Sequence, residues 1–317
     1  MIIIGMSLGA RGQDKVTFEC TDGIPVLDLK QIIEQQVINL LTQINTAESR
    51  GMEVNFADVD ISETAKKNIV MMWENAPFRT VDNEIIERCL PIKTYGRVTG
   101  YLLRNISVQM KPVKHGNYFD KLIQDICIYF DHHGKIKDFC IAINSYQFNH
   151  LIKESEELDD IDRRIQLIRF CEQLRTAYAT RDIEFFKSVF NKFVVDTRHT
   201  RQHVLEPKTN NVYGDSTFFF NNLTNLFNRA GNSGGLKTDF NDISIVMHRA
   251  KPRYYGLTIM QSLSYRTDKK RIYQEDLVFF FIWDFTNEEQ PMIHVKTIQS
   301  QDKYNERPFK LEMFRLP

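Results

Sequence analysis

The chain has 317 residues, of which 42% are apolar and 26% charged, and its 41 basic residues balance its 41 acidic residues. This composition is typical of a folded protein with two domains and excludes extended disorder. A net charge of zero argues against a nucleic-acid binder, which needs a surplus of lysine and arginine. No apolar run approaches the ~20 residues of a membrane-spanning helix, so we expect no membrane span.

The first twelve residues resemble the second half of a secretory signal peptide. The apolar stretch Ile2 to Ile4 is followed by Ala10 and Gly12, which have the spacing of a cleavage site. The charged n-region and a full apolar core are absent, and the alternative is a first β-strand. A truncated signal peptide over 1–12 predicts a periplasmic or secreted protein.

Residues 24–146 form a predicted N-terminal domain of helices followed by a small antiparallel sheet. Apolar residues at three- and four-residue spacing predict an amphipathic helix over 26–49. A second predicted helix begins at the capping residue Ser62 and ends before Pro77. Alternating polar and apolar residues from Ile106 to Met110 then predict a half-buried strand.

Segments 125–130 and 136–143 form a predicted hairpin that carries Cys127 and Cys140. A two-residue turn would place these cysteines opposite each other, whereas a three-residue turn with Gly134 in the left-handed conformation would separate them. The D-x-x-G order of the turn favours separation, so their disulfide is a hypothesis only. None of the five cysteines has metal-ligand spacing, and we expect neither a metal nor a cofactor.

Residues 158–317 form a predicted C-terminal domain of helices followed by strands. A long helix carries an apolar stripe from Ile161 to Tyr178, and Asp182 caps a short helix after it. Another helix covers 218–227, and the remaining chain alternates as four strands. The strand at Leu277–Phe285 is apolar on both faces, so we expect it to be central.

Two segments of this predicted domain resemble nuclear transport factor 2-like (NTF2-like, or SnoaL-like) domains. In Phe170–Phe186 a long helix ends in the pair Ala177-Tyr178, and Asp182 begins the next helix. Phe281–Phe285 and Ile293–Gln299 are similar to the last two strands of that fold. The combination also resembles secreted proteins of Bacteroidetes-type bacteria. A second, shorter copy of the layout in the N-terminal half is a further hypothesis.

The resemblance implies an α+β fold in which helices pack into the concave face of a curved antiparallel sheet. The resulting cone leaves a pocket, which enzymes such as ketosteroid isomerase and scytalone dehydratase use. Members commonly carry acidic residues after the second helix, where this chain has Phe190-Asn191-Lys192-Phe193. Asp196 lies further on as a candidate substitute. This departure weakens a catalytic interpretation drawn from the family.

Five side chains are candidate ligand contacts in the implied pocket, and we assign no catalytic residue. They are Tyr178, Tyr255, Trp283, His294 and Lys296. Tyr178 and Trp283 fit a hydrophobic core better than a ligand platform. Asp284 directly follows Trp283 and therefore points to the other face of the strand, where we expect a turn or edge residue.

His294 and Lys296 share one face of the predicted last strand, because alternate residues of a strand point the same way. On the concave face they would form a site for an anion or a carboxylate. On the convex face they would be exposed to solvent or lie in an interface. Ile293 and Val295 on the opposite face are typical of a core, which favours the exposed or interface position.

The sequence therefore predicts a non-catalytic, extracytoplasmic module that binds a small molecule, a peptide or a partner protein. We also expect a homodimer through the sheet face. The alternative is an enzyme similar to ketosteroid isomerase or a dehydratase, with a carboxylate or His294 inside the cone. An open cavity with a buried acid and a tyrosine or histidine donor would favour the enzyme, and a cavity filled by side chains would favour the module.

Overall fold

The computed structural model describes residues 14–113, 122–155, 157–190, 195–196, 216–232, 236–266, 272–314 and 316. The predicted signal peptide, 1–12, lies outside the described residues. The chain is α+β and divides into two compact units, the first reaching Ala142 without Thr94–Gly96, and the second holding Thr94–Gly96 and the chain from Ile143 onward. The predicted domain limits, 24–146 and 158–317, stay predictions. No described helix is long and apolar enough to cross a membrane.

The two helices of the first unit begin and end where local signals place them. Helix α1 covers Leu27–Arg50 and ends at Gly51, whose left-handed φ of 62° a glycine adopts without strain. Helix α2 covers Glu63–Asn75, and the side chain of Ser62 accepts a hydrogen bond from the Ala65 N–H at 3.1 Å. Both helices confirm the predictions from spacing and capping.

The strands of the first unit outnumber those that alternation predicts. They are β1 (Thr17–Cys20), β2 (Phe78–Thr80), β3 (Glu84–Glu87), β4 (Cys89–Thr94), β5 (Arg97–Met110), β6 (Ile123–Asp131) and β7 (Ile136–Ile141). Strands β2, β5, β6 and β7 form an antiparallel sheet in that order, with β4 paired to β5, while β1 and β3 pair in parallel. The additional strands, β1 to β4, have three to six residues, and such short runs carry little periodic signal.

The hairpin of β6 and β7 places its cysteines opposite each other, so the expected separation is wrong. Gly134 does adopt the left-handed conformation, with a φ of 88°, as the three-residue turn requires. A bulge between Tyr129 and Phe130 then restores the register, and Cys127 pairs with Cys140. The two nevertheless form no disulfide, and all five cysteines are buried free thiols.

The second unit is built from helices that precede a five-stranded sheet. Its elements are α3 (Ser145–Lys153), α4 (Leu158–Thr180), α5 (Ile183–Val189), β8 (Val195–Asp196), α6 (Ser216–Asn232), β9 (Leu236–Met247), β10 (Tyr254–Arg266), β11 (Ile272–Asp284), β12 (Met292–Ser300), α7 (Gln301–Glu306) and a short 3-10 helix (Leu311–Met313). The strand order is β8-β12-β11-β10-β9, antiparallel except for β8 with β12. Strand β11 is central, as predicted. Asp182 caps α5 through the N–H groups of Glu184 and Phe185.

The inner face of this sheet packs against the helices through aromatic side chains. These are Phe279, Phe281 and Trp283 on β11, Phe285 directly after it, and Phe170, Tyr178, Phe186 and Phe190 on α4, on α5 and at the C-cap of α5. Successive residues of a strand point to opposite faces, so the alternate positions of β11 form one aromatic row. This row is the core that holds α4 and α5 on the sheet.

The outer face of the same strands is covered by the C-terminal part of the chain. Phe309 and Leu311 pack with Tyr254, Phe280 and Ile282 in one buried cluster. A strand that is apolar on both faces needs a cover on both, because exposed apolar area costs about 25 cal/mol per Å². The predicted homodimer through the sheet face stays a prediction, and the chain itself occupies this part of that face.

Candidate functional site

A cavity of about 180 Å³ lies in the second unit, between α6 and the inner face of β10 and β11. Its apolar lining consists of Phe219, Leu223, Leu226, Leu263 and Leu277. Its polar lining consists of Tyr178, Asn222, Asn225, Arg229, Tyr265, Tyr273 and Glu275. The mixture of an apolar wall with a few polar groups is typical of small-molecule sites.

The regular geometry of two elements brings these side chains together. Strands β10 and β11 pair without a shift, so Leu263 lies opposite Glu275 and Tyr265 lies opposite Tyr273 on the inner face. On α6 the lining residues recur at three- and four-residue spacing, from Phe219 to Arg229, and therefore occupy one side of the helix. The cavity is the space left between these two surfaces.

Three tyrosines and one carboxylate dominate the chemistry of the cavity. The rings of Tyr265 and Tyr273 lie 4.9 Å apart between centroids, at an angle of 33°. The hydroxyl of Tyr273 donates a hydrogen bond of 3.0 Å to Oε2 of Glu275. Tyr178 reaches the same space from α4, with its ring packed at 4.6 Å against Phe186.

Of the five predicted contacts, Tyr178 lines the cavity, whereas Tyr255 and Trp283 do not. Trp283 packs edge-on against Phe170, with ring centroids 5.1 Å apart, and belongs to the core. Tyr255 is fully buried at the opposite end of β10, where its ring packs on Phe285 at 5.4 Å. Tyr255 and Trp283 pair with each other at the end of the sheet opposite to the cavity.

The predicted shared face of His294 and Lys296 is wrong. The pairing of β11 with β12 shifts between Ile282 and Trp283, so β12 holds one extra residue and its alternation breaks. Lys296 pairs with Phe281, whose ring lies on the inner face, and paired residues share a face. His294 instead bonds Asp284 on the outer face, outside the cavity.

Asp284 is the last residue of β11 and pairs with both Tyr254 and Met292, so the expectation of a turn or edge residue is wrong. Its side chain is the partner of His294. Its carboxylate accepts the Thr286 N–H at 2.7 Å and lies 2.8 Å from Nε2 of His294. Burial opposes the charged form, but the hydrogen bonds from His294 and Thr286 outweigh it and lower the pKa of Asp284. The pair therefore fixes the end of β11 on the outer face.

Replacing Asp284 with asparagine tests this assignment through the pH dependence of stability. Because the folded pKa is lowered, the carboxylate stabilises the protein above its unfolded pKa of about 3.9 and loses that contribution as the pH falls through the folded value. We expect D284N to lose stability relative to the native chain at pH 7, with the gap closing below about pH 4. Urea unfolding at several pH values measures the difference in free energy of unfolding between D284N and the native chain. A difference that does not change with pH would contradict the assignment.

A buried cluster of charged residues surrounds Tyr255 at the other end of the sheet. Arg163 donates to Oε1 of Glu288 at 2.7 Å, and Arg164 donates to both oxygens of Asp160 at 3.0 Å. Burial raises the pKa of Tyr255 to about 12, with the Arg163 hydrogen bond opposing this rise and Asp160 reinforcing it. The sequence analysis did not find this cluster. Its two arginines and Asp160 lie in the first two turns of α4, but Glu288 is 125 residues away from Arg163 in the chain.

Most residues of the cavity also escaped the sequence analysis. Tyr265, Tyr273 and Glu275 lie on parts of β10 and β11 beyond the predicted strands, and alternation with Leu263 and Leu277 is the signal that could have found them. The candidate acid Asp196 lies in β8, but its side chain is outside the described residues. In the described part of the chain, no group of three or more histidine, cysteine or acidic residues could hold a metal.

Comparisons with known proteins add a likeness of fold. No protein-family profile and no curated protein matches the chain. Among solved structures, an NTF2-like protein of unknown function in nutrient uptake from Rhodospirillum rubrum is 16% identical, and the match covers 41% of this chain and 93% of that one with a TM-score of 0.27. The NTF2-like fold that the sequence resembles stays a prediction for this chain. The resemblance to secreted Bacteroidetes-type proteins stays a prediction.

Proposed function

We propose that the protein is a non-catalytic module that holds a small molecule in the cavity of its second unit. The observation that carries this proposal is the open space of about 180 Å³ behind α6. Asn225, Arg229 and Tyr273 of its lining are exposed, so the space opens to solvent and a ligand can enter it. A ligand with an apolar part would displace water from the apolar wall of the cavity and gain contacts there.

The polar side chains of α6 support the same proposal. Asn222, Asn225 and Arg229 line the cavity, and none of them has a hydrogen-bond or ion-pair partner among the described residues. A ligand can bond to their donors and acceptors without breaking contacts among the described residues. Because Asn225 and Arg229 are exposed and Asn222 is partly buried, each new bond replaces a bond to water and contributes a net ~0.5–1.5 kcal/mol.

The size of the cavity favours a small molecule over a peptide or a protein partner. A cavity of ~150 Å³ holds one benzene ring, so about 180 Å³ suits a compact ligand of similar size. A peptide would need a longer groove with several pockets for alternate side chains. We therefore choose the small molecule among the three predicted classes of partner.

The enzyme alternative has less support from the arrangement of acids and bases. His294 and Asp284 lie on the outer face, and Asp160 is held by Arg164 away from the cavity. The carboxylate that lines the cavity belongs to Glu275, which is only partly buried and accepts a hydrogen bond from Tyr273. A general base in this fold would need an apolar setting that raises its pKa toward the working pH.

Filling the cavity tests the proposal directly. Asn222 lines the cavity, whereas its neighbour Asn221 is exposed and does not, so N222W and N221W are a matched pair. We expect ligand-detected NMR with a set of small fragments to find binders to the native chain and to N221W, and to lose them in N222W. No binders to the native chain, or binders that N222W leaves unaffected, would overturn the proposal.

An extracytoplasmic location is the second part of the proposal. Its support is the signal-like composition of the first twelve residues. Fractionation of the source cells, followed by intact-mass measurement of the purified protein, tests it. We expect the protein in the periplasmic or culture fraction, and recovery in the cytoplasm alone would contradict this part without affecting the binding site.

A further inference from the structure

The interior of the cavity presents groups that attract positive charge. The rings of Tyr178, Tyr265 and Tyr273 all line it, and the face of an aromatic ring carries partial negative charge. The carboxylate of Glu275 lies on the same strand face as Tyr273. Several rings beside one carboxylate form the arrangement that recognises alkylated ammonium groups.

The basic residue of the cavity lining is Arg229, on α6. Among the described residues that line the cavity, Arg229 is the one basic side chain, and it is exposed without a described ion-pair partner. Guanidinium groups bind carboxylates and phosphates through two parallel hydrogen bonds. A ligand whose cationic group occupies the tyrosines and Glu275 would therefore place an anionic group at Arg229.

We infer that the cavity binds a small zwitterionic quaternary ammonium compound, with the trimethylammonium group among Tyr178, Tyr265 and Tyr273 and the anionic group at Arg229. This inference rests on the proposed function, since it names the ligand class of the same cavity. A betaine matches the volume, because a trimethylammonium group is about as large as the benzene ring that fits ~150 Å³. The headgroup phosphocholine has the same chemistry, and its affinity relative to a free betaine distinguishes the two sources.

Titration calorimetry with glycine betaine and its carbon isostere 3,3-dimethylbutanoate isolates the contribution of the positive charge. The two molecules share the carboxylate and the shape and differ in one atom, nitrogen against carbon. We expect betaine to bind up to about fivefold more tightly, as cation–π contacts in a partly exposed site predict. Phosphocholine is measured in the same series. Tighter binding of phosphocholine than of betaine would indicate a lipid headgroup as the ligand, and the reverse order would indicate a free betaine.

Three variants connect this difference to named side chains. Y273L should weaken betaine about fivefold or more, while Y273F, which keeps the ring, should retain most of the affinity. R229Q should weaken betaine but not choline, which has a positive charge and no carboxylate. Thermal melting of each variant verifies that it is folded, and Tyr273 is suitable because its side chain is 38% exposed.

The outcomes separate this inference from the proposed function. Equal affinity for betaine and 3,3-dimethylbutanoate would overturn the ammonium assignment. The same holds if betaine does not bind while small fragments bind the native chain and fail to bind N222W. In both cases the small-molecule site would remain. If neither the fragments nor the ammonium probes bind, the proposed function itself fails.

Discussion

Replacing Trp283 with alanine is expected to lower the free energy of unfolding of the second unit by about 3–5 kcal/mol. The indole packs at 5.1 Å against Phe170 and at 6.1 Å against Phe285, in the middle of the aromatic row that joins β11 to the helices. Truncation would remove this buried area and leave a cavity that rigid neighbours cannot close. Urea unfolding measures the loss.

The variant W283F provides the matched control. Nε1 of Trp283 is buried and has no hydrogen-bond partner among the described residues, so phenylalanine removes no bond and leaves only a smaller gap. We expect it to cost clearly less than alanine. If W283A costs below about 1 kcal/mol, or if W283F is as damaging, Trp283 does not have the core role assigned to it.

The second large effect is expected from Arg163, whose replacement by methionine should cost about 3–5 kcal/mol. Arg163 and Glu288 are 9% and 8% exposed and form a hydrogen bond of 2.7 Å. Removing the arginine would leave a buried carboxylate without its positive partner. Urea unfolding of R163M at pH 7 measures this cost.

Two further measurements separate charge from packing at this site. The double variant R163M/E288L removes both charges, so we expect it to recover much of the lost stability. Burial alone would raise the pKa of Glu288, but the hydrogen bonds from Arg163 outweigh it and the pKa is lowered in the native protein. As the pH falls through the folded pKa of Glu288, the native protein therefore loses the stability that this carboxylate contributes, whereas R163M has no such contribution to lose. The difference in free energy of unfolding between the two proteins should narrow at low pH. A constant gap and an unrecovered double variant would show that the loss is one of packing alone.

The predictable parts of the fold are those decided by neighbours in the chain. The ends of α1 and α2, the cap at Asp182 and the central position of β11 all follow from spacing, capping and composition. Each of these signals lies within a few residues of the feature that it specifies. The α+β class and the position of the long helices before the main sheet strands in both halves follow from the same local information.

The candidate site was less predictable, because its residues meet only through strand pairing. Tyr178 was found from the resemblance, but Tyr265, Tyr273 and Glu275 lie where β10 and β11 extend beyond their apolar stretches. Polar and aromatic residues at the end of a strand look the same in sequence whether they line a cavity or face solvent. Their common position depends on the register between two strands.

Sequence alone determined the long helices and the strands with clear alternation, since backbone propensity, capping and periodicity act locally, whereas β1 to β4 and the short helices α3 and α7 were not predicted. Tertiary structure decided which face and which neighbour each side chain has. One extra residue in β12 separates His294 from Lys296, and a bulge before the turn brings Cys127 opposite Cys140. A bulge reverses the alternation of every residue beyond it, and it exists only in relation to a partner strand.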